Sequence, residues 1–192
     1  MEGFGPELYR FEQDYFLENF VRNHCDMVLD TAFESRLMSE LSRLTDDLCS
    51  PQRCLVHRDL QSQNVMVPGS EPYFIDFQGM RFGNPFYDLG SLLCDPYVFL
   101  TPGEREELLS FYYVLSPQEL DWDTFRRSFW SASVQRLMQA LGAYGFLGRT
   151  RGLTSFLGHI PAGLSNLSMA ASHVPSLSNL RHLITECTVA LG

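Results

Sequence analysis

The sequence predicts a mostly helical α+β fold carrying one small β-hairpin, and three observations lead there. Apolar residues recur at helical spacing at both ends of the chain. A short stretch after the first quarter turns to β-branched and aromatic runs. Proline and glycine fall between the two kinds of pattern. The length of 192 residues (21.9 kDa) suits one domain or one large lobe. With 45% hydrophobic and 19% charged residues, the chain has ample material for a packed core, which excludes global disorder. It reads as a single unit, 1–192, in three zones: helical 1–52, a strand-and-loop zone 53–78, and helical 79–192.

In the first zone Phe33, Leu37, Leu41, Leu44 and Leu48 mark one buried stripe. Thr31 stands three residues before Glu34, the spacing of a capping box, which predicts a helix starting there. Ser50-Pro51 ends that helix, because proline disfavours helical geometry in the residue before it. In the second zone the runs 54–56, 65–67 and 73–75 read as strands, and the last two flank the turn signal Pro68-Gly69-Ser70-Glu71-Pro72. In the third zone a short helix spans 86–93 and stops at Asp95-Pro96. Thr101 then caps a helix with Pro102 in its first turn. Trp122, Phe125, Phe129 and Leu137 trace another stripe, and 153–190 divides into two helices near Pro175.

The formal net charge is −9, and all 14 basic residues are arginine. A surface this acidic repels nucleic-acid backbones and anionic lipid, so neither is an expected partner. The five cysteines form no Cys-x-x-Cys pair and are odd in number, which favours free thiols over a zinc or disulfide framework. No secretion signal or bilayer-length apolar run is present in the sequence, so a cytoplasmic location is expected.

Two polar clusters interrupt the strand zone: His57-Arg58-Asp59 with Asn64, and Asp76-Phe77-Gln78. A hairpin symmetric about Ser70 would set Val67 opposite Tyr73 and Asn64 opposite Asp76. Directly opposed residues bring their Cβ atoms to roughly 4.5–5.5 Å. An amide oxygen and a carboxylate converging there suit a hard cation such as Mg²⁺, whose other positions go to water and substrate phosphate. Asp59 would stand beside that metal as a free carboxylate, able to orient a hydroxyl and accept its proton.

The string Val56-His57-Arg58-Asp59, Asn64-Val65-Met66-Val67, Phe74-Ile75-Asp76-Phe77-Gln78-Gly79 and Tyr87-Asp88-Leu89 resembles the aminoglycoside phosphotransferase and choline kinase-like superfamily. Ile-Asp-Phe-Gln and the later Gln135-Arg136…Leu141-Gly142 are similar to its cell-wall amino-sugar kinases, which act on N-acetylmuramate and N-acetylglucosamine. The resemblance implies a protein-kinase-like C-terminal lobe using ATP and Mg²⁺. Asp59 would be the catalytic residue, and Asn64 and Asp76 the metal and cofactor ligands. His57, Arg58 and Asp88 would support them, His57 by packing the loop and Asp88 by bonding its backbone. About 11 residues separate Asp76 from Asp88, too few for a peptide-binding segment, which points to a small hydroxylated acceptor.

A kinase of this type also needs a Gly-rich loop and a lysine over the phosphates. This chain has no lysine, and Gly3-Phe4-Gly5 lacks a third glycine. The N-terminal nucleotide lobe is therefore expected to be absent from this chain and supplied upstream in cis or by a partner in trans. Two functions follow: a phosphotransferase lobe acting on a sugar, amino-sugar or aminoglycoside-like hydroxyl, or a non-catalytic kinase remnant serving as a binding module. Arg58 either pairs with a carboxylate or stands free, and Asp95 either ends its helix or meets a sugar hydroxyl. His24, His159, His173 and His182 read as structural residues.

Overall fold

The computed structural model describes residues 3–117 and 119–192. Seven α-helices among them carry most of the mass: α1 (Pro6–Phe16), α2 (Thr31–Cys49), α3 (Pro85–Leu93), α4 (Pro102–Leu115), α5 (Trp122–Gly145), α6 (Ile160–Ser172) and α7 (Ser178–Leu191). Four short strands form two antiparallel pairs. β1 (Cys54–Val56) pairs with β4 (Arg81–Gly83), and β2 (Val65–Met66) pairs with β3 (Tyr73–Phe74). β4 carries no strand signal of its own in the sequence; β1 templates it.

The 24-residue α5 is the spine, with α1, α3 and α6 packed around it. From Phe129 onward it is buried on nearly every side, as expected of a helix enclosed by others, with Gln135 and Arg136 among the buried residues. Phe125, Phe129, Val134, Leu137, Met138 and Leu141 are all buried. Glycine lets α1 approach closely: a Cβ at Gly142 would meet the Phe16 backbone at 3.1 Å, and one at Gly145 would meet the Asn19 carbonyl oxygen at 2.3 Å. Both α1 and α5 end in wider π-type turns, at 17–22 and 146–150.

The stripe predicted for α2 is buried at Leu37, Leu41, Leu44 and Leu48, with Phe33 partly so. Its cap is corrected by one residue. Asp30, not Thr31, is the N-cap, and its carboxylate accepts the amides of Ala32 (3.0 Å) and Phe33 (2.9 Å). A carboxylate at a helix N-terminus gains from the macrodipole as well as from the hydrogen bonds, an advantage a hydroxyl lacks. With Asp30 as the cap, Phe33 holds the third helical position and no box forms; Glu34 instead pairs with Arg22 at 2.6 Å. At α4 Thr101 is the expected cap with Pro102 following, and it forms a full capping box with Glu104. The pair of helices expected after 153 is α6 and α7, and all five cysteines are free thiols. No described helix is long and apolar enough to cross a membrane.

Asp30→Ala should lower unfolding stability by about 1 kcal/mol, whereas Thr31→Ala should stay within about 0.5 kcal/mol of wild type. Urea denaturation of both variants measures the difference.

Candidate functional site

Both polar clusters, Asn64 apart, line one cleft of about 410 Å³, whose walls include His57, Arg58, Asp59, Asp76, Gln78 and Arg136. It opens between the loop that follows β1 and the C-terminal half of α5.

That loop is held from outside at several points. Asp88 on α3 accepts the backbone amides of His57 (2.5 Å) and Arg58 (2.8 Å). Burial pushes the Asp88 carboxyl above its usual range, and those two amides pull it partly back. Asp95 ends α3 and is also buried; it accepts the Ser62 amide at 2.7 Å and the Tyr97 amide at 2.8 Å. The His57 ring is buried and bonds the Ile75 carbonyl through Nε2 at 2.8 Å, tying the loop to the end of β3. Arg58 takes a left-handed backbone at φ 75°, a conformation costly for a side chain of its size. Its guanidinium lies 4.9 Å from the Phe4 ring and 3.7 Å from Glu12, so its charge is partnered.

Asp59 is clamped from two sides. Arg136 of α5 donates to Oδ1 at 2.6 Å, while Asn64 (3.1 Å) and Gln61 (3.3 Å) donate to Oδ2. A carboxylate offers about four acceptor positions, so these three bonds leave one for a hydroxyl. The Arg136 side chain is 8% exposed and that of Asp59 43%, so the pair joins a buried cation to a carboxylate open to the cleft.

The hairpin register differs from the symmetric expectation. Val65 pairs with Phe74 and Met66 with Tyr73, and Ile75 donates its amide to the Asn64 carbonyl. Val67 joins the loop, which holds six residues instead of five. A one-residue slip exchanges the faces of a strand, so Ile75 and not Asp76 lies opposite Asn64. Asp76 reaches the cleft by another route. At φ 65°, ψ 35° it is left-handed, breaking β3 and turning its carboxylate into the cleft, where Gln78 donates to it. Asn64 is buried, and among the described residues its two side-chain bonds both run from the amide nitrogen to Asp59. Its Oδ1 is therefore spare. That oxygen and the Asp76 carboxylate are hard donors, a set that suits Mg²⁺ completed by phosphate and water. Among the described residues no cluster of three or more His, Cys, Asp or Glu could hold a metal without such help.

Beneath the loop lies a charge that the sequence reading missed. Glu12 of α1 accepts the Tyr87 hydroxyl (3.0 Å) and the Gln135 amide (3.1 Å), and it faces Arg58. Gln13 extends the network to Gln135 (2.9 Å) and Thr45 (3.0 Å). Burial pushes the Glu12 carboxyl up to about 7, against the pull of Gln135, Tyr87 and the two arginines. A polar residue at each of 12, 13 and 135 within otherwise apolar helix faces was the available signal.

The sequence pattern of the phosphotransferase enzyme family matches residues 4–126. The chain belongs to this family. N-acetylmuramate/N-acetylglucosamine kinases are among its relatives: that of Pseudomonas putida is 24% identical over 97% of this chain and 56% of its own length. That of Neisseria meningitidis is 27% identical over 96% of this chain and 58% of its own. The chain thus spans a little over half the length of these relatives. A choline/ethanolamine kinase family protein from Mesorhizobium loti shares the fold at a TM-score of 0.57 and 15% identity, covering 96% of this chain and 58% of that one.

Because its folded pKa lies above the ordinary value of 4.5, Glu12 favours folding below pH 4.5, and that contribution is lost as pH rises through about 7. The stability difference between Glu12→Gln and wild type should therefore shift by about 3 kcal/mol in favour of the variant across that window. Denaturant unfolding at pH 4.5 and pH 8 reads it.

Proposed function

We propose that this chain is the acceptor-side lobe of an ATP- and Mg²⁺-dependent kinase that phosphorylates a hydroxyl of a small sugar or amino sugar. The observation that carries the reading is Asp59, clamped by Arg136 and Asn64 with one acceptor position left open into a cleft that Asp76 shares. In the reaction the acceptor hydroxyl oxygen bonds to the γ-phosphorus while the bond from that phosphorus to the β–γ bridging oxygen breaks, releasing ADP. Asp59 orients the hydroxyl and takes its proton. Positioning contributes most in such transfers, which suits a carboxylate fixed at both oxygens. Asn64 and Asp76 would hold Mg²⁺, which when bound offsets negative charge on the phosphates. Asp88, with His57, keeps the loop at the height Asp59 needs, and Arg58 locks it onto α1.

The nucleotide side is incomplete within this chain. Both cleft arginines are engaged by carboxylates, and there is no lysine, so a cation for the phosphates must come from elsewhere. The hairpin turns apolar side chains outward: Met66, Val67, Tyr73, Phe74 and Phe77 are all more than half exposed. Soluble chains seldom leave such a patch uncovered, which supports a nucleotide-binding lobe seated there, in cis or in trans. The same patch and the lack of lysine also favour a second reading, a non-catalytic module that uses this face to hold a partner.

The test fuses this chain to the unmatched part of the Pseudomonas putida relative and follows phosphate transfer from ATP to N-acetylglucosamine by phosphorus NMR. Transfer is expected, and Asp59→Asn should slow it by about 10²–10⁴-fold. An Asp59→Asn fusion as fast as its parent would refute the catalytic assignment, and a folded but inert fusion would support the second reading. The chain alone should bind Mg·ATP weakly; micromolar affinity by calorimetry would contradict the need for another lobe.

A further inference from the structure

We infer that Gln139 on α5 sets acceptor specificity, its side-chain N–H₂ group donating to a carbonyl oxygen of an N-acylated sugar. The inference rests on the reading of the cleft as an acceptor site and adds to it the residue that chooses among acceptors.

The orientation of Gln139 follows from its neighbour. Arg136 Nη1 donates to Gln139 Oε1. A guanidinium has donors only, so the amide atom facing it must be the oxygen. Arg136 cannot swing away, because Nε is bonded to Ser91 at 3.0 Å and Nη2 to Asp59 at 2.6 Å. The Gln139 nitrogen is left without a partner among the described residues, on a side chain that lines the cleft. Two donor hydrogens are thus presented by the same clamp that fixes Asp59, one helical turn along α5.

The surroundings define what those donors meet. Ala140 and Ala143 leave room beside Gln139, and Tyr97, Tyr144 and Phe156 form an aromatic corner beyond them. Their ring centroids lie 6.1 Å (Tyr97 to Tyr144) and 6.2 Å (Tyr144 to Phe156) apart. The charged side chain beside Gln139 is Arg136, whose three nitrogens are already engaged by Ser91, Gln139 and Asp59. Of the cleft carboxylates, Glu12 faces Arg58 and Asp59 is paired with Arg136, while Asp76 is met by the neutral Gln78 amide. An ammonium against Gln139 would set donors against donors. An acylamino group satisfies both features, its carbonyl accepting from Gln139 and its methyl resting on the rings.

Binding to this chain is measured by ligand-observed NMR and calorimetry at pH 7 with N-acetylglucosamine, glucosamine, glucose and an aminoglycoside. Wild type should bind N-acetylglucosamine about tenfold more tightly than glucosamine, with the aminoglycoside weakest. That discrimination reflects one amide hydrogen bond made or left facing a donor. Gln139→Ala should bring N-acetylglucosamine down to the level of glucose, and Gln139→Glu, nearly isosteric but acceptor-only, should favour glucosamine. Circular dichroism confirms that each variant is folded. Discrimination retained in both variants, or a wild type that prefers glucosamine or the aminoglycoside, overturns the role of Gln139 while leaving phosphate transfer through Asp59 intact. A wild type that binds no sugar overturns it too, and only an inert Asp59 in the fusion assay reaches the kinase reading itself.

Discussion

The contact on which the cleft depends is the ion pair between Arg136 and Asp59. Arg136 is buried against the spine helix, and a guanidinium withdrawn from water is stable only if its donors are met. Ser91, Gln139 and Asp59 meet them, one on each nitrogen. The pair therefore works in both directions. Asp59 offsets a charge that the helix packing has desolvated, and Arg136 fixes the direction in which a half-exposed carboxylate points. Removing Asp59 leaves the buried Arg136 charge stranded, a costlier defect than the loss of an exposed pair.

The same logic extends along α5. Gln135, one residue earlier, is fully buried and turns the other way, to Glu12, Tyr9 and Gln13 of α1. Consecutive helical residues diverge by about 100°, so positions 135 and 136 serve two sides of one helix. One side builds the floor under Arg58 and the other the wall behind Asp59. Gly142 and Gly145 let α1 come close enough for this floor to form. The stretch Gln135-Arg136…Leu141-Gly142 is legible only as a family resemblance in the sequence; in the fold each member has a separate mechanical reason.

Backbone strain gathers at the site. Among described non-glycine residues, positive φ occurs at Asp26, Arg58 and Asp76, two of which line the cleft. Arg58 is held by amide bonds to Asp88 and by Phe4 and Glu12, and Asp76 by its place between β3 and the turn at 77–79. Such conformations persist where the surroundings over-determine them. Here they aim two side chains that regular strands would have pointed elsewhere.

The amino-acid order alone determined the helical stripes, the cap of α4, the helix stops at Pro51 and Asp95-Pro96, and the list of residues that line the polar loop. Those features rest on neighbours a few positions apart, where spacing and proline chemistry act directly. The cap of α2 was misplaced by one residue because Asp30 and Thr31 are both competent, and Arg22's hold on Glu34 is invisible locally. The hairpin register escaped for a similar reason: Pro68 and Pro72 mark a turn without saying whether Val67 belongs to it, and parity then decides every facing pair. What only the tertiary structure decided was the company Asp59 keeps. Arg136 lies 77 residues away and Glu12 lies on the far side of the loop, brought in by helix packing whose energy is spread over the whole core. No local pattern records which buried arginine will find which carboxylate.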